Sequence, residues 1–297
     1  MYTLENQQLK IVIHPKGAEL QSVFHKVHRL EYMWSGDPAF WGKHSPILFP
    51  IVGTLKSDTY FYQNKAYSLG RHGFARDMEF EAEEQTPESI VFLLRSSAAT
   101  REKFPFAFEL RVIYRLTEDG LTVTYRVENG SRDKPGQGSG DELYFSIGGH
   151  PAFRVPLAEG TDYTDYFLEF GQKETAPRWP ISPQGLIEKT PVPLLQDSNR
   201  IPLTRELFAA DALVFKHLHS TKVALRSAKT THGLAVEFAG FPYIGLWAAK
   251  NADFVCIEPW CGIADSVDAD QQLVHKEGIN KLNAGPAFER TWRLRAF

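Results

Sequence analysis

A chain of 297 residues that is 43% hydrophobic is long enough to bury a large core. Its net charge of −3 and pI near 6.4, with no Lys/Arg run, leave no basic footprint for nucleic acid. The N-terminus lacks a basic start followed by an apolar stretch, and no window nears the ~18 apolar residues of a membrane span, so a cytoplasmic protein without a membrane partner is expected.

In chain order, Gln8 to His14 and Glu19 to His25 alternate apolar and polar residues around a Pro-Lys-Gly turn, which predicts a hairpin. Tyr32 to Trp41 packs four aromatic residues around a turn; such rings serve either core packing or stacking against a sugar. Prolines at both ends of Pro46 to Gly53 argue for an extended segment under a rim rather than a central strand. Tyr60 to Tyr67 reads as a second short hairpin. Gly70-Arg-His-Gly-Phe-Ala-Arg76 follows, a cluster of donors spaced by glycines that suits hydroxyl or phosphate oxygens, or a solvated turn.

From Met78 to Val127 the β pattern is strongest. Phe106, Phe108, Leu110, Val112, Tyr114 and Leu116 fall on one face, Asp119-Gly120 turns the chain, and Leu121, Val123, Tyr125 and Val127 continue the alternation. Asn129 to Gly140 reads as a glycine-rich loop with no helix after it, so it is not a dinucleotide fingerprint. Leu143-Tyr-Phe-Ser-Ile-Gly-Gly-His-Pro-Ala-Phe153 is a strand that stops at two glycines, a histidine and a proline. His150 there either caps the strand in the core or stands at a sheet rim where a ligand reaches it.

Residues 154 to 200 are turn-rich with weak periodicity and predict loops with short strands. Strands return at Ala212 to Lys216, Lys222 to Arg226, Leu234 to Phe238, Tyr243 to Trp247 and Phe254 to Glu258, and Glu289 to Arg295 closes the chain. Helix is nearly absent, with two turns expected at Thr204 to Ala210 under a Thr204 N-cap. No repeat or compositional break divides the chain, so residues 1–297 are expected to form a single domain.

Phe254-Val-Cys-Ile-Glu-Pro-Trp-Cys261 delivers Glu258 at the end of an apolar strand beside Trp260, which would desolvate the carboxyl and favour a proton-accepting role over a surface charge. Asp211 is placed at the entry to another strand. Cys256 and Cys261 are too few for a disulfide framework or a four-cysteine zinc site, and read as a reduced pair near a functional loop. His217-x-His219 and His25-x-x-His28 lack an evident third ligand, so no metal site is expected.

The segments Gly70 to Arg76, Gly148-Gly-His-Pro-Ala-Phe153, Asp211-Ala-Leu-Val-Phe215 and Glu258-Pro-Trp260 stand in an order that resembles the aldose 1-epimerases, the galactose mutarotase-like proteins. The resemblance implies an all-β fold, a large antiparallel β-sandwich or supersandwich, with a sugar cleft on one sheet. It implies interconversion of α and β anomers of a small-molecule sugar without cofactor or metal, by a monomer or homodimer. Carried across, the general acid falls on His150, the general base on Glu258, a second histidine near the ring oxygen on His72, and a hydroxyl-holding carboxylate on Asp211. Arg71 or Arg76 would add hydroxyl contacts.

The Arg-His-Gly-Phe-Ala-Arg form departs from the Asn-rich His-Gly-Gly loop of well-studied mutarotases and looks closer to the hexose-6-phosphate mutarotase branch. There Arg76 matches a phosphate contact, with Lys43 or Arg71 as its partner. Two other functions stay open on such a fold. A glycoside hydrolase would pair Glu258 with Asp211 or Asp265, and a carbohydrate-binding module would hold sugar without exchanging its anomers.

Overall fold

The alternation that marks residues 106–127 becomes the hairpin Phe108–Thr117 and Gly120–Asn129, with Val112 opposite Tyr125 and Leu116 opposite Leu121. Phe108, Leu110, Val112, Tyr114 and Leu116 point into the core, where each such side chain contributes about 1.5–3 kcal/mol of transfer free energy. Glu109 and Arg111 point outward and pair with each other and with Arg95 and Glu83. The computed structural model describes residues 1–130 and 142–297; most of the glycine-rich loop expected after Asn129 lies outside the described residues.

That hairpin is part of a nine-stranded antiparallel sheet, in the order Val192–Pro202, Tyr166–Arg178, Lys222–Ser227, Leu234–Glu237, Ala287–Ala296, Gly120–Asn129, Phe108–Thr117, Ser89–Arg95 and Glu81–Gln85. A six-stranded sheet shares its core. Along its path run Leu213–Lys216, Tyr243–Trp247, Phe254–Cys261, Ile147–Gly149 and Ile47–Leu48, while Ala152–Arg154 adds a second partner to Phe254–Cys261. Strands Tyr2–Glu5, Leu9–His14, Glu19–His25 and Leu30–Glu31 make a smaller sheet at the N-terminal side. The fold is the all-β antiparallel sandwich that the strand pattern and the resemblance called for.

Phe254–Cys261 is buried at every position. One side meets the main core through Val255, Ile257 and Cys261, while Trp260 joins a second apolar cluster with Leu48, Val214, Tyr243 and Ile263. Close approach of Trp260 depends on glycine in both neighbouring strands. A Cβ on Gly148 would sit 2.6 Å from the indole Cδ1, and one on Gly245 2.5 Å from its far ring. Ile47–Leu48, flanked by Pro46 and Pro50, lies at the sheet edge, where a missing N–H costs no ladder bond.

Residues 154–200 depart from expectation. Instead of loops with short strands they hold Tyr166–Arg178 and Val192–Pro202, strands of 13 and 11 residues. Their mutual register shifts at three places, and in the outer strand only Leu195 and Ile201 are buried, so the period of two never accumulates in the sequence. Thr204 to Ala210 forms turns rather than helix. The helix Ala98–Lys103 lies elsewhere, under a capping box in which Ser97 and Thr100 bond each other's backbone N–H.

Candidate active site

The strand that carries His150 breaks in two around it. Ile147–Gly149 and Ala152–Arg154 both pair with Phe254–Cys261, Gly148 opposite Trp260 and Ala152 opposite Cys256. One register runs through both pieces, and carried across the break it sets His150 opposite Glu258. Two bonds follow the registers across the gap: the His150 N–H donates to the Pro46 carbonyl at 3.1 Å, and the Ile257 N–H to the Pro151 carbonyl at 3.3 Å. Pro151, which has no N–H to give, interrupts the ladder next to the residue that faces the carboxyl.

His150 Nε2 lies 3.3 Å from Glu258 Oε2. The imidazole is stacked on Trp41, with centroids 4.9 Å apart, and meets Trp247 edge-on at 5.6 Å, so two indoles fix its plane. Both groups line a cavity of about 520 Å³ together with Arg71, His72, Arg76 and Asp211, so these six residues singled out in the sequence are gathered in one cleft. Trp41, Phe208, Trp247, Trp260 and Lys250 complete its polar and aromatic lining.

Each of the remaining groups has a defined state. His72 Nδ1 accepts the Gly53 N–H at 3.1 Å, which leaves its proton on Nε2 as a donor, and burial holds its pKa well below the usual 6.5. Its ring approaches His150 edge-on at 5.7 Å. Asp211 accepts from the Ala212 N–H at 2.7 Å and meets both terminal nitrogens of Arg71 at 3.3 and 3.4 Å. Arg76 donates to the Arg71 carbonyl at 2.9 Å, tying the two ends of the donor loop together. His72 and Asp211 have φ of 70° and 81°, a left-handed backbone that costs non-glycine residues about 1–3 kcal/mol and is characteristic of functional positions.

Burial dominates the acid/base pair. It pushes His150 down to about 3, helped by the charges of Arg71 and Arg76, and it pushes Glu258 well above the usual carboxyl value, with Asp211 adding to the shift and Arg71 opposing it. A free imidazolium is therefore not the resting form of His150. Burial thus works against the charged form of each member, imidazolium on His150 and carboxylate on Glu258. Polar atoms left without partners concentrate here too. Arg76 Nε, His150 Nδ1, Glu258 Oε2 and Trp260 Nε1 are buried without a hydrogen-bond partner among the described residues. Four such atoms around one cleft are what a polar ligand would satisfy.

Two candidates fall outside the cleft. Lys43 pairs with Asp77 at 3.2 Å and does not line the cavity, whereas Arg71 and Arg76 do. Asp265 is bound to Lys276 at 2.6 Å and does not line it either, so it is not a second carboxyl for Glu258. His217 packs against Tyr243, and His219 reaches the buried Glu174. His25 and His28 are not isolated: their rings stack at 3.8 Å, and His232 comes within 4.9 Å of His28. Cys256 and Cys261 are free thiols, both buried.

Trp247 and Lys250 were not singled out by the sequence. Trp247 ends its strand opposite Cys256, so the register that places Glu258 also places this indole. Lys250 follows on a turn, where nothing in the local sequence distinguishes it from any exposed lysine.

The fold and the cleft are those of a sugar-epimerase class of β-sandwich, and comparison with known proteins gives the family. The model of the aldose 1-epimerase family matches residues 1–277, and the chain belongs to that family. It is 35% identical over 287 residues to the chromosomal protein LacX of Lactococcus lactis subsp. lactis, covering 94% of this chain and 93% of that one. Among solved structures, a galactose mutarotase related enzyme from Lactobacillus acidophilus superposes with a TM-score of 0.93 at 39% identity, over 100% of this chain and 97% of the other. A galactose mutarotase-like protein from Lactobacillus casei gives 0.91 at 32% identity over 100% of both chains.

Proposed function

We propose that the cleft interconverts the α and β anomers of an aldose by opening and reclosing its ring. The observation that carries this reading is the 3.3 Å approach of His150 Nε2 to Glu258 Oε2 inside an open, polar cavity. Ring opening removes a proton from the anomeric hydroxyl and adds one to the ring oxygen. A pair with one proton can do both, since it always presents one protonated and one free group. Rotation about C1–C2 and reclosure reverse the transfers, with no net change in the protein.

With the proton on Glu258, the side that burial favours, the carboxyl is the donor and the imidazole the acceptor. A single hop across the pair gives carboxylate and imidazolium, the assignment implied by the family resemblance. Bound hydroxyls that supply partners to Glu258 Oε2 and His150 Nδ1 would favour that charged form. His72, as an Nε2–H donor, would hold the ring oxygen or a neighbouring hydroxyl, and Asp211 a further hydroxyl. Trp41 and Trp247 would present ring faces and edges to the sugar's C–H surface.

One observation favours a narrower substrate. The cleft lining carries Arg71, Arg76 and Lys250 against the two carboxyls of Asp211 and Glu258, an excess of positive groups that suits a phosphorylated hexose. Exchange spectroscopy of the anomer signals, run on matched free and phosphorylated hexoses, tests both levels. Faster exchange than in buffer supports the epimerase, and a preference for the phosphorylated form supports the narrower reading. Sugar binding with exchange at the solvent rate would make the protein a carbohydrate-binding module instead.

A further inference from the structure

One buried side chain beside the acid/base pair has no part in that scheme. Cys256 lies two residues before Glu258 on the same strand, so both side chains leave on one side of it. The thiol therefore reaches the same spot as the acid/base pair. One donor atom each from His150, Cys256 and Glu258 lies within 4.8 Å of the others, and among the described residues this is the one trio of such side chains drawn that tightly together. His150 is 8% exposed, Cys256 0% and Glu258 1%. His150 Nε2 faces Glu258 Oε2 at 3.3 Å, and that oxygen is buried without a hydrogen-bond partner among the described residues, so the carboxyl has coordinating capacity that the fold does not use.

We propose that His150, Cys256 and Glu258 form a binding site for a thiophilic divalent cation of the zinc class, which occupies the acid/base pair rather than serving it. Nitrogen, sulfur and carboxylate donors together select zinc or cobalt over magnesium or calcium, whose sites are built from oxygen. Zinc bonds of ~2.0–2.3 Å place tetrahedral donors about 3.3–3.7 Å apart, which side-chain adjustment from the present spacing reaches. The fourth position faces the cleft, open to water or to a sugar oxygen.

Charge balance fits the burial. The S–H bond of Cys256 and the O–H bond of Glu258 break, metal–sulfur and metal–oxygen bonds form, and two protons pass to solvent. A dication with two anions is neutral, so a pocket that disfavours a lone charge on either residue accepts the assembly. The metal also removes the proton the pair needs and claims both of its members. Zinc should therefore abolish anomer exchange, and sugar should compete with it.

The binding claim stands on geometry alone, and only its inhibitory consequence rests on the proposed function. Cobalt(II) titrated into the full chain should give a near-ultraviolet thiolate-to-metal charge-transfer band, displaced by zinc and untouched by magnesium. Cys256→Ala should lose the band and bind zinc at least about tenfold more weakly, since loss of even an outer-shell partner has that effect. Glu258→Gln should also weaken zinc binding and leaves the thiol in place, which guards against a folding defect in the cysteine variant. Zinc should no longer suppress the exchange that Cys256→Ala retains. Absence of the band, or zinc affinity equal in wild type and Cys256→Ala, overturns the site. Tight binding through Cys256 that leaves exchange by an active enzyme intact overturns the inhibition. Should no sugar be exchanged, the cobalt and zinc titrations still decide the site.

Discussion

Two buried pairs of ionisable side chains stand out among the described residues, and their difference separates a structural pair from one proposed to react. Asp265 and Lys276 are 4 and 2% exposed at 2.6 Å, and the second Asp265 oxygen accepts the Lys56 N–H at 2.9 Å. Glu258 and His150 are 1 and 10% exposed at 3.3 Å, yet Oε2 and Nδ1 have no hydrogen-bond partner. Burial is equal in the two places. What differs is satisfaction: the first pair has spent its hydrogen-bonding capacity on the fold, and the second holds it in reserve facing a cleft.

The sharpest way to break that distinction is to remove a member of the reactive pair. His150→Asn or Glu258→Gln should lower kcat by about 10²–10⁴-fold with little change in sugar affinity, measured by polarimetry on a freshly dissolved anomer. Thermal stability should be kept. Near-normal turnover in either variant would put the chemistry elsewhere.

Removing a member of the structural pair should do the reverse. Lys276→Met strands a buried carboxylate and should cost about 3–5 kcal/mol in denaturant unfolding, whereas replacing Lys276 and Asp265 together by apolar residues should recover most of it. A single variant as stable as the parent would show that Asp265 needs no counter-ion. Next in size is Trp41→Ala, which frees the imidazole plane from one of its two indoles. A misplacement of that order should lower kcat by up to about 10²-fold, with Trp41→Phe restoring much of it. Equal loss in both variants would mean that Trp41 contacts sugar and does not merely hold His150.

The last readout is stability against pH. Glu258 keeps a proton in the folded chain that the unfolded chain releases above 4.5, so it makes stability fall as pH rises from there to its raised value. His150 stays neutral in the folded chain where the unfolded chain binds a proton, so its contribution falls as pH drops from 6.5 towards 3. Glu258→Gln should flatten the first slope and His150→Asn the second, read from unfolding curves at several pH values.

The sequence told most where one physical signal repeats. The 106–127 hairpin was legible because ten residues in each strand alternate between a shared core and solvent. The edge strands after residue 166 were not, because register shifts and one exposed face erase that period. The donors at Arg71, His72 and Arg76, and the strand ends at His150, Asp211 and Glu258, stood out as polar groups beside glycine, proline or apolar runs. Their convergence followed from the family resemblance, since pairing between strands more than a hundred residues apart leaves no local trace. Resting protonation was illegible as well. The histidine expected as the general acid is held neutral by burial among two indoles and a buried strand, with the charges of Arg71 and Arg76 adding to it, and none of that shows in the local sequence.

The most direct measurement is the anomer exchange rate of the wild type as a function of pH, taken by exchange spectroscopy on the neutral hexose it turns over fastest. A pair holding one proton between displaced pKa values predicts a level rate through the range near 6.5 where a free imidazole titrates. A rate that changes about tenfold per pH unit on either side of that value would contradict it, and would return His150 to the role of an ordinary solvated acid.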